Sequence, residues 1–202
     1  MPEVPRVSPA FLSSAVTDSE HCSEEASFEG ERTTWNVHDG SPPEVLVQPT
    51  DQKISQIGVV GYTYRILLTG KETAGRFCLI DMYVPPGGGP PPHRHDFLEA
   101  FTLLEGELEV VFRAAKQVVR AGQTIHVPAN APQQFHNSST HPAWMLCLCS
   151  PAGQEDFFVE IGVPVPTRTT PPPDLDGAAQ SEFKAKAAAL APKYRTELLQ
   201  HA

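Results

Sequence analysis

Apolar positions along the chain fall in short runs of period two. Within residues 107–113, Leu108, Val110 and Phe112 share one face while Glu107, Glu109 and Arg113 share the other, the alternation of a strand with one buried side. Similar runs of β-branched, Leu and aromatic residues occupy 44–48, 62–69, 76–84, 97–104, 117–120, 124–127, 133–137, 144–150 and 156–162. Gly, Pro, Asn and Asp separate them, with Gly106 and Gly122 placed for hairpin bends. Ten short strands at near-regular spacing predict an all-β sandwich or small barrel.

The flanks read differently. Residues 1–34 are rich in Ser, Glu, Pro and Thr and poor in large apolar side chains, so they are expected to form a partly disordered N-terminal arm ahead of a barrel over 35–163. Residues 164–202 open as a Pro-rich linker and continue into an Ala-rich stretch with Phe183, Ala187 and Leu190 at helical spacing. Asp174 and Asp176 are N-cap candidates, and Pro192 breaks the pattern. A short C-terminal helical tail packed on the barrel exterior is the expectation. No internal repeat supports a second barrel.

Composition narrows the function. The 21 prolines in 202 residues oppose a helix-rich architecture, because Pro breaks helix interiors. With 24 Asp and Glu against 15 Lys and Arg, a net charge of -9 and no basic run, the chain lacks the phosphate-neutralising surface of a nucleic-acid binder. Its longest apolar stretches, such as 144–149, fall far short of the ~20 residues that span a bilayer, so no membrane partner is expected. The first residues lack a cationic segment followed by an apolar core, which points to the cytosol. Four cysteines, Cys22, Cys78, Cys147 and Cys149, are too few for a disulfide scaffold and read as reduced, packed thiols.

The candidate chemistry sits after a Gly- and Pro-rich approach. His93 and His95 are two apart, so on a strand their imidazoles share a face, and Glu99 returns to it four residues on. Two imidazoles and a carboxylate are the ligand set of a facial site for a divalent metal with open positions. On these residues alone, surface histidines in a Pro-rich loop remain an open alternative.

The spacing resembles the first cupin motif, G-x5-H-x-H-x3-E-x6-G, at Gly87, His93, His95, Glu99 and Gly106. Gly122, Pro128 and Asn137 likewise match the second motif, G-x5-P-x-G-x2-H-x3-N. Asn130 replaces its turn Gly, a position that suits Asn because Asn adopts left-handed backbone comparatively easily. Gln133 replaces its histidine ligand. The resemblance implies a double-stranded β-helix (jelly-roll) barrel, commonly a homodimer. It also implies one divalent transition metal per barrel (Fe, Mn, Ni, Cu or Zn), held by His93, His95 and Glu99. Gln133 is then a weak fourth ligand, a neighbour leaving its position to water or substrate, or the mark of a degraded site.

Glu99 could both ligate and accept a substrate proton, and His126 could face the pocket as a proton carrier. Phe101 and Phe135 share the parity of Glu99 and Gln133 and are expected to line a substrate pocket. Arg94, Asp96 and His136 have the opposite parity and are expected on the outside. Among cupins, the single barrel with a Pro-rich approach and a helical tail is similar to quercetinase-like monocupins, many of them dioxygenases of flavonols and related phenols. The leading expectation is a metal-dependent enzyme that adds O2 to a small aromatic or enolic molecule. The alternatives are a non-redox isomerase, cyclase or decarboxylase, or a non-catalytic binder of a small molecule.

Overall fold

A computed structural model describes residues 45–47, 56–59, 61–112, 115–171 and 175–199; the expected arm over 1–34 lies outside them. Alternating burial builds the barrel from two antiparallel sheets. One contains β1 (Gln56–Val59), β2 (Tyr62–Leu68), β3 (Cys78–Val84), β5 (Leu98–Glu105), β8 (Thr124–Val127), β10 (Ala143–Ser150) and β11 (Val163–Pro164), in the order β11-β1-β2-β3-β10-β5-β8. The other contains β4 (His93–His95), β6 (Glu107–Phe112), β7 (Ala115–Arg120), β9 (Gln133–His136) and β12 (Thr196–Leu198), in the order β12-β4-β9-β6-β7.

The all-β expectation holds in eight of the ten predicted strands. The two exceptions have clear causes. Residues 45–47 are exposed or half-exposed and unpaired in any described sheet. Residues 156–162 read as a strand because Phe157, Phe158, Val159 and Ile161 are β-formers, yet they belong to helix α1 (Gln154–Ile161). Its buried residues Gln154, Phe157 and Ile161 recur at three and four, the helical period. Glu155 fixes the helix start by accepting from Gly70 N and Gly153 N, both at 2.7 Å.

The C-terminal segment contains helix α2 (Gly177–Leu190), capped by Asp176, whose carboxylate accepts from Ala178 N and Ala179 N. A 3-10 turn, Ala191–Tyr194, follows at Pro192. The expected helical tail is present in α2, and a further strand follows it. That strand is β12, which joins the second sheet by pairing with β4. The linker likewise contributes β11, paired with β1.

The two motifs are locked together by backbone. Gly87 N donates to Asn137 O and Asn137 N donates to Gly88 O, both at 2.8 Å. The Asn137 side chain, fully buried, donates to the carbonyls of Val84 and His141 and accepts from Ser139 N and Oγ. Close approach also explains Gly89: a Cβ there would lie 2.3 Å from the Phe135 carbonyl oxygen. Asn130 adopts a left-handed φ of 64°, as its replacement of Gly requires.

Asn137→Ala strips the buried Val84 carbonyl of its side-chain donor, and an unsatisfied buried group costs about 1–3 kcal/mol. Chemical denaturation should therefore show a loss of roughly 1–3 kcal/mol, with Asn137→Asp failing to restore the wild-type value because it lacks the N–H donors.

Candidate metal centre

Strand β4 lies between β9 and β12, and that register assembles the site. His93 is opposite Gln133 on one side and Leu198 on the other, while His95 is opposite Thr196. Both imidazoles point inward and are buried; Arg94 between them turns outward, where it pairs with Glu197 at 2.6 Å. Asp96 pairs with Arg195 at 2.5 Å. The outward charges predicted from parity thus pin the C-terminal segment to β4.

Glu99 enters from β5. There Leu98 is exposed while Glu99 is only 4% exposed, the reverse of what hydrophobicity alone dictates. Donor atoms of His93, His95 and Glu99 all lie within 4.8 Å of one another, and His95 Nε2 is 3.4 Å from Glu99 Oε2.

Each imidazole is oriented from its far side. His93 Nδ1 donates to the Pro91 carbonyl at 2.8 Å. His95 Nδ1 lies 2.8 Å from Thr196 Oγ1. That hydroxyl sends its own proton to Gln154 Oε1 or the Tyr194 carbonyl, so it accepts from the imidazole. Both rings therefore present the unprotonated Nε2 to the cluster, the arrangement in which a metal-binding histidine is held by an outer partner.

Burial sets the charges. Desolvation lowers the pKa of both histidines, His95 to about 3 with His93 adding to the effect. Desolvation also raises Glu99 to about 7, against the pull of hydrogen bonds from Cys149 and Gln133. Near neutral pH the cluster is two neutral imidazoles and a half-ionised carboxylate. That set fits a divalent cation, which supplies the positive charge that burial denies the histidines.

Gln133 is buried, and its amide nitrogen donates to Glu99 Oε2. It touches the carboxylate through N–H, and half a turn of the amide would present its oxygen instead. The other carboxylate oxygen faces sulfur: Cys149 Sγ is 3.5 Å and Cys147 Sγ 4.0 Å from Glu99 Oε1. The Cys149 contact lowers the Cys147 thiol while burial and Glu99 raise it, to about 11 overall, so it stays protonated and packed.

A cavity of about 70 Å³ adjoins the cluster, walled by Phe101 and Phe135 as expected from parity, and by Tyr64, Met82 and Phe157. The Phe101 and Phe135 rings meet edge to face at 5.7 Å. His126 is placed otherwise than expected. It is exposed and pairs with Ala100, whereas the next residue, Val127, pairs with Glu99 and shares its buried side. Alternation therefore turns His126 away from the cluster, which removes it as a proton carrier there. Thr196, Gln154 and Phe157 belong to segments whose sequence reads as tail, connection and strand respectively.

Two outcomes follow from this geometry. Thr196→Val keeps the shape but removes the acceptor of His95, and metal affinity measured by chelator competition should fall about 10- to 100-fold with the fold intact. Because Glu99 holds a proton up to about pH 7 while the histidines are already neutral, metal uptake at pH 6 should release about one proton. Affinity should be about tenfold weaker at pH 6 than at pH 8; a flat titration across that range would contradict this assignment.

Residues 80–149 match the cupin domain family. Among characterised relatives, quercetin 2,3-dioxygenase of Bacillus subtilis (strain 168) is 29% identical over 102 residues, covering 50% of this chain and 30% of the relative. The chain thus matches less than a third of that relative's length. Solved structures of related shape include the polyketide cyclase RemF from Streptomyces resistomycificus (22% identity, 73% of this chain and 99% of that one, TM-score 0.49). Another is an RmlC-like cupin from Shewanella frigidimarina (16% identity, 56% and 96%, TM-score 0.47). Both motifs are joined in one barrel, and the match to the cupin domain family runs across it from β3 to β10.

Proposed function

We propose that this protein is a metal-dependent cupin enzyme acting on a small aromatic or enolic molecule, as a quercetinase-like dioxygenase. The observation that carries the reading is the convergence of His93, His95 and Glu99 on a cavity walled by aromatic rings. The likeness to quercetin 2,3-dioxygenase over 102 residues supports it. In this reading His93, His95 and Glu99 hold a divalent metal, which supplies Lewis-acid activation of a substrate oxygen and, with a redox-active ion, electron transfer to O2.

The chain's own residues do the rest. Glu99, the buried carboxylate of the cluster, is placed to take the proton of a substrate hydroxyl. The Gln133 amide on Oε2 directs that carboxylate, and Phe101 and Phe135 narrow the cavity beside it so that only a small reacting group reaches the cluster. The cytosolic setting and the homodimer expected of such cupins belong to the same proposal.

Gln133 supports one further reading. With an amide where a further imidazole would stand, the donor set is harder and suits Zn or Mn, and the same residues then serve an isomerase, cyclase or decarboxylase without O2. Metal analysis of the native protein, followed by an oxygen electrode with a panel of phenols, tests these readings. The dioxygenase reading expects a bound metal and O2 uptake, and both should vanish together in His95→Ala; retention of either sinks the scheme. Bound metal without uptake supports the non-redox reading, and a native protein that binds no metal overturns both in favour of a non-catalytic binder. Gln133→His should raise metal occupancy and change the rate, whereas unchanged values mark that position as a spectator.

A further inference from the structure

The cavity at the cluster, about 70 Å³, has room for about two waters at ~30 Å³ each, and cannot enclose a ring-bearing substrate. A second chamber of about 320 Å³ adjoins it, the size at which ligand sites begin. The two share the walls Tyr64, Phe157, Phe158 and Leu198. Tyr64 and Phe158 are stacked with centroids 4.3 Å apart and form a partition of two rings. Phe183 and Ala187 of α2 and Tyr62 of β2 also line it. Pro90 borders the inner cavity and Pro91, whose carbonyl orients His93, borders the outer one.

We propose that this chamber, built by α1, α2 and β12 against β1 and β2, is a binding site for the body of a planar aromatic anion. Its reactive oxygen would reach the cluster past the Tyr64–Phe158 partition. The proposal rests on the reading of the cluster as a metal site, and it adds the substrate class: a molecule of about two rings, apolar on both faces, with an acidic group at the outer end. Aromatic walls select the rings. Lys184 is the one charged side chain among the described residues lining the chamber, and it selects the anion. Among the described lining residues there is no carboxylate to oppose it.

The probe is anilinonaphthalene sulfonate, whose fluorescence rises in apolar sites, titrated into native protein and into the Ala187→Phe, Ala187→Leu, Lys184→Glu and His95→Ala variants. Saturable binding of one probe per chain is expected. Filling the chamber with Ala187→Phe should weaken it about tenfold or more, with Ala187→Leu intermediate and metal content and circular dichroism unchanged for both. If the Phe variant does not fold, the Leu variant decides. Lys184→Glu should weaken the probe about threefold and leave uncharged naphthol binding unaltered. His95→Ala should bind the probe as native protein does; loss there would put the probe at the cluster and overturn the proposal. Unchanged affinity in both Ala187 variants, or no saturable binding, overturns it as well. A failure of metal binding or O2 uptake leaves these probe results standing, so the two proposals fail separately.

Discussion

The constraint on which this structure turns is the burial of Glu99. A carboxylate in a β-barrel interior is costly unless it is neutralised or paired, yet β5 is phased so that Glu99 faces in and Leu98 faces out. Every neighbour answers that choice. Gln133 donates to one carboxylate oxygen, two thiols approach the other, and His95 stands 3.4 Å away. Reversing the strand phase would relieve the burial and dissolve the site, so the inward carboxylate is best understood as kept for chemistry rather than for stability.

The same burial suppresses positive charge on the histidines, whose imidazoles are neutral and locked by Pro91 and Thr196. A cluster of donors without its own counter-charge is prepared for a cation. Preparation of this kind costs stability in the empty protein and is repaid on binding, since ligand affinity adds to folding free energy. The lock on His95 comes from the last described strand, so completion of that sheet and orientation of the His95 imidazole are one event.

The C-terminal segment thereby has two tasks. Through Arg195 and Glu197 it meets Asp96 and Arg94, a pair of exposed contacts worth about 0–1 kcal/mol each that fix register more than they add stability. Through Thr196, Leu198 and the helices before them it walls the cluster and the chamber beside it. The prolines before His93 act in the same region, where Gly89 lets that approach lie against β9.

What the sequence determined by itself was local. Alternation located eight strands, because the side-chain period of a strand is written in adjacent residues. Parity put His93, His95, Glu99, Phe101, Phe135 and Gln133 inside and Arg94 and His136 outside, and capping chemistry placed Asp176 at the start of α2. Propensity failed at residues 156–162, where β-forming residues recur at helical spacing and packing against Gly70 and the barrel overrode them. His126 was misplaced because proximity to Pro128 says nothing of which face its strand presents. Only the tertiary structure decided that β12 pairs with β4, that Thr196 holds His95, and that α1 and α2 enclose a second chamber. Those contacts join residues about 100 positions apart, and no local periodicity encodes them: they exist only once the sheets have closed.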